Sequence, residues 1–233
     1  MLSSDATTDV CAVVATTTLA YLVAHYVLAP DRVAAFTRDP EPQGVRPVAL
    51  FRLLAGALWL GAPVAVLMSV IHTAPSGWGF VPDLSLRALA WVALPAAVLV
   101  PVLFFAARAP AVWADTPRMR ITTWGPRTFG INAATWAVYL VGYEYLFRGF
   151  TVLFLAEHLG AAPAIAIGTG LYAFQHLPRG AGECLGSAIM GVLFGLMTVD
   201  TGSMASAWAL HMIIAMCGER FAIHHNPALH WRR

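Results

Sequence analysis

The sequence predicts an all-α, polytopic integral membrane bundle of about seven transmembrane helices. Three observations predict it. Of 233 residues, 59% are hydrophobic and 11% are charged, whereas a soluble domain carries about 25% charged residues. The mean hydropathy is +0.69. Apolar runs near the roughly 20 residues needed to span a bilayer recur along the chain, separated by short polar breaks rich in Pro and Gly. No soluble domain, low-complexity tract or internal repeat stands out.

The first span is expected from about Val10 to Leu28, closed by Pro30. The preceding residues carry acids and no basic group, unlike the positive start of a cleavable signal, so this helix is expected to be retained. A polar loop with Arg32, Arg38 and Arg46 leads to a second span, about Val48 to Ile71, with Arg52 placed to snorkel to the interface. The third, about Leu86 to Ala107, holds Pro95 and Pro101, expected to kink it. A loop with Arg118, Arg120 and Arg127 precedes the fourth, about Phe129 to Gly160. The fifth covers about Ala161 to His176, with Ala162, Ala166 and Gly170 as a small-residue stripe for close helix contact. Leu177-Pro178-Arg179-Gly180 breaks it. The sixth runs from about Gly182 to Val199, with a second stripe at Ser187, Gly191 and Gly195, and ends in the turn Asp200-Thr201-Gly202. The seventh covers about Met204 to Ile223, before a short polar tail. This divides the chain into an N-terminal unit of three spans (1–128), a core of four (129–223) and the tail (224–233).

Arginines concentrate in the loops after spans one, three and five and at the C-terminus. By the positive-inside rule the N-terminus is expected outside and the C-terminus in the cytoplasm, in a bacterial inner membrane. The basic residues other than histidine are all arginine, without a polybasic cluster, which argues against a nucleic-acid partner. Cys11, Cys184 and Cys217 fall in apolar segments without CxxC spacing and read as small buried residues. Met190, Met197, Met212 and Met216 read as core fillers. His224, His225 and His230 read as a solvated tail.

The chemistry is expected around Tyr143-Glu144-Tyr145-Leu146-Phe147-Arg148-Gly149. An ionisable residue costs roughly 3 kcal/mol at the centre of a membrane helix. Glu144 and Arg148 are four apart and share one helical face, so each can shield the other. His176 and His211 add two imidazoles in or beside apolar helices, and Glu183 follows the break after span five. A glutamate with an imidazole can take a proton from water and pass it to a leaving amine; a second imidazole can donate to a developing oxyanion. Glu144, His176 and His211 are also a possible zinc ligand set. Spacing alone does not separate these, because HExxH is absent. An ion pair that only locks helices together, a non-catalytic scaffold and a proton-relaying transporter are the alternatives.

The second half, roughly Phe129 to Ala222, resembles the CAAX-protease and bacteriocin-processing family of glutamic-type intramembrane proteases. That family carries Glu-Glu-x-x-x-Arg-Gly, then Phe-x-x-x-His, then His-x-x-x-Asn or Asp, on successive helices. Glu144, Arg148 and Gly149 match the first motif, His176 the second with Tyr172 for phenylalanine, and His211 the third. Tyr143 stands where the first glutamate is expected, and Ala215 where the oxyanion asparagine is. Tyr-Glu chains resemble a branch of the family in which residues 176–183 form a Pro- and Glu-containing segment. The resemblance implies an intramembrane peptidase without a required cofactor, in which Glu144, helped by His176, activates water. His211 would steady the oxyanion, Arg148 hold Glu144, and Glu183 supply the missing acid. The substrate would be a membrane-associated protein or peptide, cut near a hydrophobic, sorting or lipidated terminus.

Overall fold

The computed structural model describes residues 4–37 and 41–232. Arg38 and Arg233, counted above among the loop and tail arginines, lie outside the described residues. The apolar runs all become helices. α1 (Ser4–Tyr26) is followed by α2 (Pro30–Thr37), where the sequence was expected to give only loop. Proline at the first helical position and Asp31 in the first turn favour that short helix, which buries Val33 and Ala34. α3 (Val45–Ser69) keeps Pro63 in its interior. A 3-10 turn at Pro75–Gly77 precedes α4 (Leu86–Ala106), whose first turn is capped by the Ser85 hydroxyl accepting from the Ala88 N–H at 3.2 Å. Only Ala88 of α4 is buried in the protein, as expected of a helix facing hydrocarbon. Pro95 and Pro101 sit inside it without ending it.

After α5 (Pro110–Trp113) and β1 (Thr123–Trp124) comes a 34-residue helical rod in three parts. They are α6 (Pro126–Glu144), a π-helical segment (Tyr145–Leu153) and α7 (Phe154–Leu159). The rod is the axle of the bundle: every residue from Tyr143 to Val152 is buried. α8 (Ala161–Phe174), a 3-10 turn (Leu177–Arg179), α9 (Ala181–Thr201), α10 (Ala205–His225) and β2 (His230–Trp231) complete the chain. Gly160 at φ +87° reverses the chain between α7 and α8, and Gly202 at φ +63° closes α9, both conformations that favour glycine.

Among the described residues, five helices are long and apolar enough to cross a membrane: α1, α3, α4, the rod and α9. α8 is apolar but shorter. Alternate connections gather at opposite ends. At one end, Arg120 N–H donates to Gln43 O (2.8 Å), and β2 pairs in parallel with β1. There too, Tyr21 Oη donates to Gln175 O (2.9 Å). At the other, Met204 N–H donates to Gly79 O (3.1 Å), and Arg87 pairs with Asp200. The tail is therefore not free: His230 and Trp231 are exposed but strand-paired.

Small residues set the closest helix approaches, though not always those expected. Gly191 meets Thr169 and Gly195 meets Ile165, as the second stripe requires. The first stripe does not behave so: Ala162, Ala166 and Gly170 face outward, and α8 packs through Ala164, Gly168 and Tyr172, two positions round the helix. The choice follows Tyr172, whose ring must enter the core. The cysteines also depart from expectation, Cys11 being exposed and Cys184 and Cys217 half-buried. Met197 is a core residue, and Met190 and Met212 pack at the core's edge.

The tightest contact is Gly56 on α3 against Gly142 on α6, where a Cβ at Gly142 would overlap the Gly56 carbonyl. Gly142→Ala is expected to force the helices apart and cost about 1–3 kcal/mol. Gly170→Ala, in open space, is expected to leave the unfolding midpoint unchanged. Thermal unfolding in detergent compares the two directly.

Candidate active site

Glu144 ends α6 at the junction with the π-helical segment, fully buried. Its Oε1 accepts from His211 Nδ1 at 2.5 Å, across from α10. Its Oε2 lies 3.2 Å from Arg148 Nε, an ion-pair contact without hydrogen-bond alignment. Arg148 is 2% exposed, and its two terminal nitrogens lack hydrogen-bond partners. Its guanidinium instead lies over Tyr172 (4.3 Å to the ring centre) and Phe194 (4.9 Å). Those faces carry negative quadrupole density and stabilise a cation in place of water. His211 is stacked on Phe194, with centroids 5.4 Å apart, and sits edge-on to Tyr143 at 5.9 Å. Acid, guanidinium and imidazole thus meet inside an aromatic box.

The π-helix makes this arrangement possible. A π segment widens the backbone and marks functional sites more often than ordinary helix. Here the Thr151 hydroxyl donates five residues back, to Leu146 O (2.7 Å), and pairs with Thr17 of α1 (2.7 Å). Gly149 follows Arg148 because a Cβ there would meet the Trp78 carbonyl at 2.5 Å.

His176 is placed differently. It lies beyond the end of α8, with Nδ1 donating to Tyr172 O at 2.8 Å and its ring beside Tyr172. It is one helical turn nearer the end of the bundle than Tyr172, about 6 Å. Among the described residues it makes no direct contact with Glu144. Glu183, in the first turn of α9, is bonded to Arg179 at 2.6 Å and partly exposed.

Two cavities frame these groups. The first, about 440 Å³, is lined by Arg52, Tyr143, His176 and Arg179 among others. The second, about 450 Å³, is lined by Tyr172, His176, Glu183, His211, Ala215 and Glu219 among others. His176 borders both. Glu144 borders neither, so His211, which is half-buried, is the member of the trio that faces open volume. His211 Nδ1–H points to Glu144, which leaves Nε2 as the free ring nitrogen. Among the described residues no three His, Cys, Asp or Glu side chains converge as a metal site. In the set Glu144, His176 and His211, the first two make no direct contact and the first and third touch directly.

A second buried ion pair escaped the sequence reading. Arg52 is not a snorkelling residue: it is 2% exposed, hydrogen-bonded to Asn132 Oδ1 (2.8 Å) and Thr135 (3.2 Å), and packed over Trp136. Its partner is Glu219, 3.6 Å away, which also accepts from Trp136 Nε1 (3.1 Å) and the Arg118 N–H (3.2 Å). Glu219 stands eight residues after His211, on the same face of α10, and is 2% exposed. An acid inside an apolar helix, in phase with a histidine already singled out, was the available signal.

Residues 126–217 match the family described as Type II CAAX prenyl endopeptidase Rce1-like. This segment is similar to that family. It covers less than half of the chain, contains all five candidate residues and ends just before Glu219. No curated protein and no solved structure matches the chain. An Rce1-like core within a bundle of membrane-crossing helices supports an intramembrane endopeptidase of the CAAX-protease type, acting on membrane-associated substrates. Within that core Tyr143 packs in an aromatic cluster with Trp59, Phe147 and Tyr172, and Ala215 presents only a methyl group to the second cavity.

Arg148→Met should leave the Glu144 carboxylate buried without its cation and lower stability by about 3–5 kcal/mol. Adding Glu144→Gln should restore much of that loss. A double-mutant cycle read by thermal unfolding checks this, and strictly additive losses would exclude the coupling.

Proposed function

We propose that the protein is an intramembrane endopeptidase in which a Glu144–His211 dyad activates water in the second cavity. The observation that carries this reading is the 2.5 Å contact between His211 Nδ1 and a carboxylate wholly excluded from solvent. That contact orients the imidazole so that Nε2 faces the cavity and stabilises the imidazolium that forms on proton transfer. Nε2 takes a proton from water as the oxygen attacks the carbonyl carbon of the scissile peptide. The same nitrogen returns the proton to the departing amine as the C–N bond breaks.

Arg148 keeps Glu144 ionised and in place. His176, whose Nδ1–H is committed to the Tyr172 carbonyl, presents Nε2 as an acceptor that holds the attacking water. This exchanges the roles implied by the resemblance: the carboxylate acts through His211 instead of touching water itself. Glu183, committed to Arg179 at the cavity edge, orders the segment after α8. The reading requires no metal. Substrates are membrane-anchored proteins or peptides cut near a hydrophobic, sorting or lipidated terminus. The arginine-rich end of the bundle faces the cytoplasm of a bacterial inner membrane, with the N-terminus outside.

Glu144→Gln and His211→Gln are each expected to lower turnover by about 10²–10⁴, the range for loss of a positioned general base. Glu183→Gln should cost far less. The measurement is accumulation of uncleaved precursors in the membrane proteome of cells carrying each variant against wild type. Unchanged processing in a folded Glu144→Gln protein would return the chain to the scaffold reading.

A further inference from the structure

The two cavities are oppositely charged. The first is lined by four arginines, Arg52, Arg118, Arg120 and Arg179, against one acid, Asp115. The second is lined by Asp115, Glu183 and Glu219 against Arg118 alone. Two ion pairs, Arg52–Glu219 and Arg179–Glu183, straddle the divide with the arginine on one side and the carboxylate on the other.

Arg120 is hydrogen-bonded through all three guanidinium nitrogens, but Arg52 and Arg118 are not fully satisfied. Arg52, 3% exposed in its side chain, has an Nη2 with no hydrogen-bond partner and only the 3.6 Å contact to Glu219. The Arg118 guanidinium has a 3.8 Å contact to Asp115. Burial and the neighbouring Arg179 charge hold it below the ordinary arginine range. Like charges gathered in a low-dielectric recess repel, and an anion entering it relieves the repulsion.

Position selects the anion. The lining runs deep into the bundle along α3 and α6, through Trp59, Tyr139 and Tyr143, and its mouth comes from the end of α1, the start of α3, residues 114–120 and residues 175–179. The mouth belongs to the connections after the first, third and fifth helical crossings, which meet at one end of the bundle. That is the depth of phospholipid headgroups. Tyr21, Trp59, Trp136 and Tyr139 give the walls aromatic surface, the residue type that settles at the membrane interface. Three guanidinium groups from separate parts of the fold, Arg52, Arg118 and Arg179, suit an oxyanion with several acceptor oxygens better than a carboxylate, which one arginine can grip in two places.

We propose that the first cavity is a binding site for the phosphate of an anionic phospholipid headgroup. The site is distinct from the acid–imidazole centre. A bound headgroup would brace residues 114–120 and 175–179, and with them His176, where the two cavities meet.

The test uses the full-length protein in detergent, stripped of endogenous lipid and given phosphatidylglycerol or phosphatidylcholine, with retained lipid counted by native mass spectrometry. Wild type should retain phosphatidylglycerol over phosphatidylcholine. Arg118→Gln/Arg179→Gln should lower that retention roughly tenfold or more, from the loss of two cationic contacts. Arg220→Gln, at an arginine that packs on Trp231 and lines neither cavity, should not. Millimolar inorganic phosphate should compete with the lipid on wild type, which keeps the test open if the double variant fails to fold. Glu144→Gln should abolish cleavage and leave lipid retention intact, so the two readings fail separately. Unchanged retention in a monodisperse double variant would overturn the proposal. So would displacement by a peptide with a free C-terminal carboxylate, but not by its amide, with phosphate without effect.

Discussion

The bundle is arranged around one carboxylate that water does not reach. Removing an ion from water costs several kcal/mol even after the protein relaxes, so Glu144 dictates what surrounds it. Arg148 must be four residues on, His211 must arrive from α10 to take the other oxygen, and the arginine's unused nitrogens must meet ring faces. Tyr172 and Phe194 supply those faces from α8 and α9, so the rod, α8, α9 and α10 all contribute to the pair's surroundings. The glycines at 142 and 149 serve the same end, bringing α3 and the Trp78 loop close enough to seal the rod.

Polar groups away from this centre are organised by a second rule: charge is separated across the end of the bundle. Arg52 and Glu219 link α3 to α10 through Asn132, Thr135 and Trp136 of α6. Residues 114–125 are held over both cavities by Gln43, by Glu219 and by the β1–β2 pairing. The acid-lined cavity is the one that opens on His211.

Much of this was legible in the chain. Membrane residence follows from composition, and the helices follow from apolar runs bounded by Pro, Gly and arginine. Glu144 and Arg148 could be paired from spacing alone. Depth was legible only in outline: the spans put Glu144 and His176 at different levels, and His176 sits a turn nearer the bundle end than Tyr172 because α8 stops at Phe174 and a 3-10 turn follows. Helix rotation could not be read. Two small-residue stripes on α8 were available, and the entry of Tyr172 into the core selected the one at Ala164 and Gly168. Arg52 looked like an interface residue because its partner is 167 positions away, and no local rule connects them. The π segment left no mark in a periodicity that assumes 3.6 residues per turn.

Tyr143 becomes intelligible once the geometry is known. A glutamate there would add a second carboxylate beside a fully buried one, with a single arginine between them, and like charges at that range cannot both stay ionised. Tyrosine removes the conflict and fills the space among Trp59, Phe147 and Tyr172 with an edge toward His211. Without a competing acid, Glu144 bonds to His211 alone on its free side and fixes the tautomer that exposes Nε2. In the proposed mechanism the base is accordingly the imidazole and not the carboxylate, and the cavity meets a group that can both accept and return a proton.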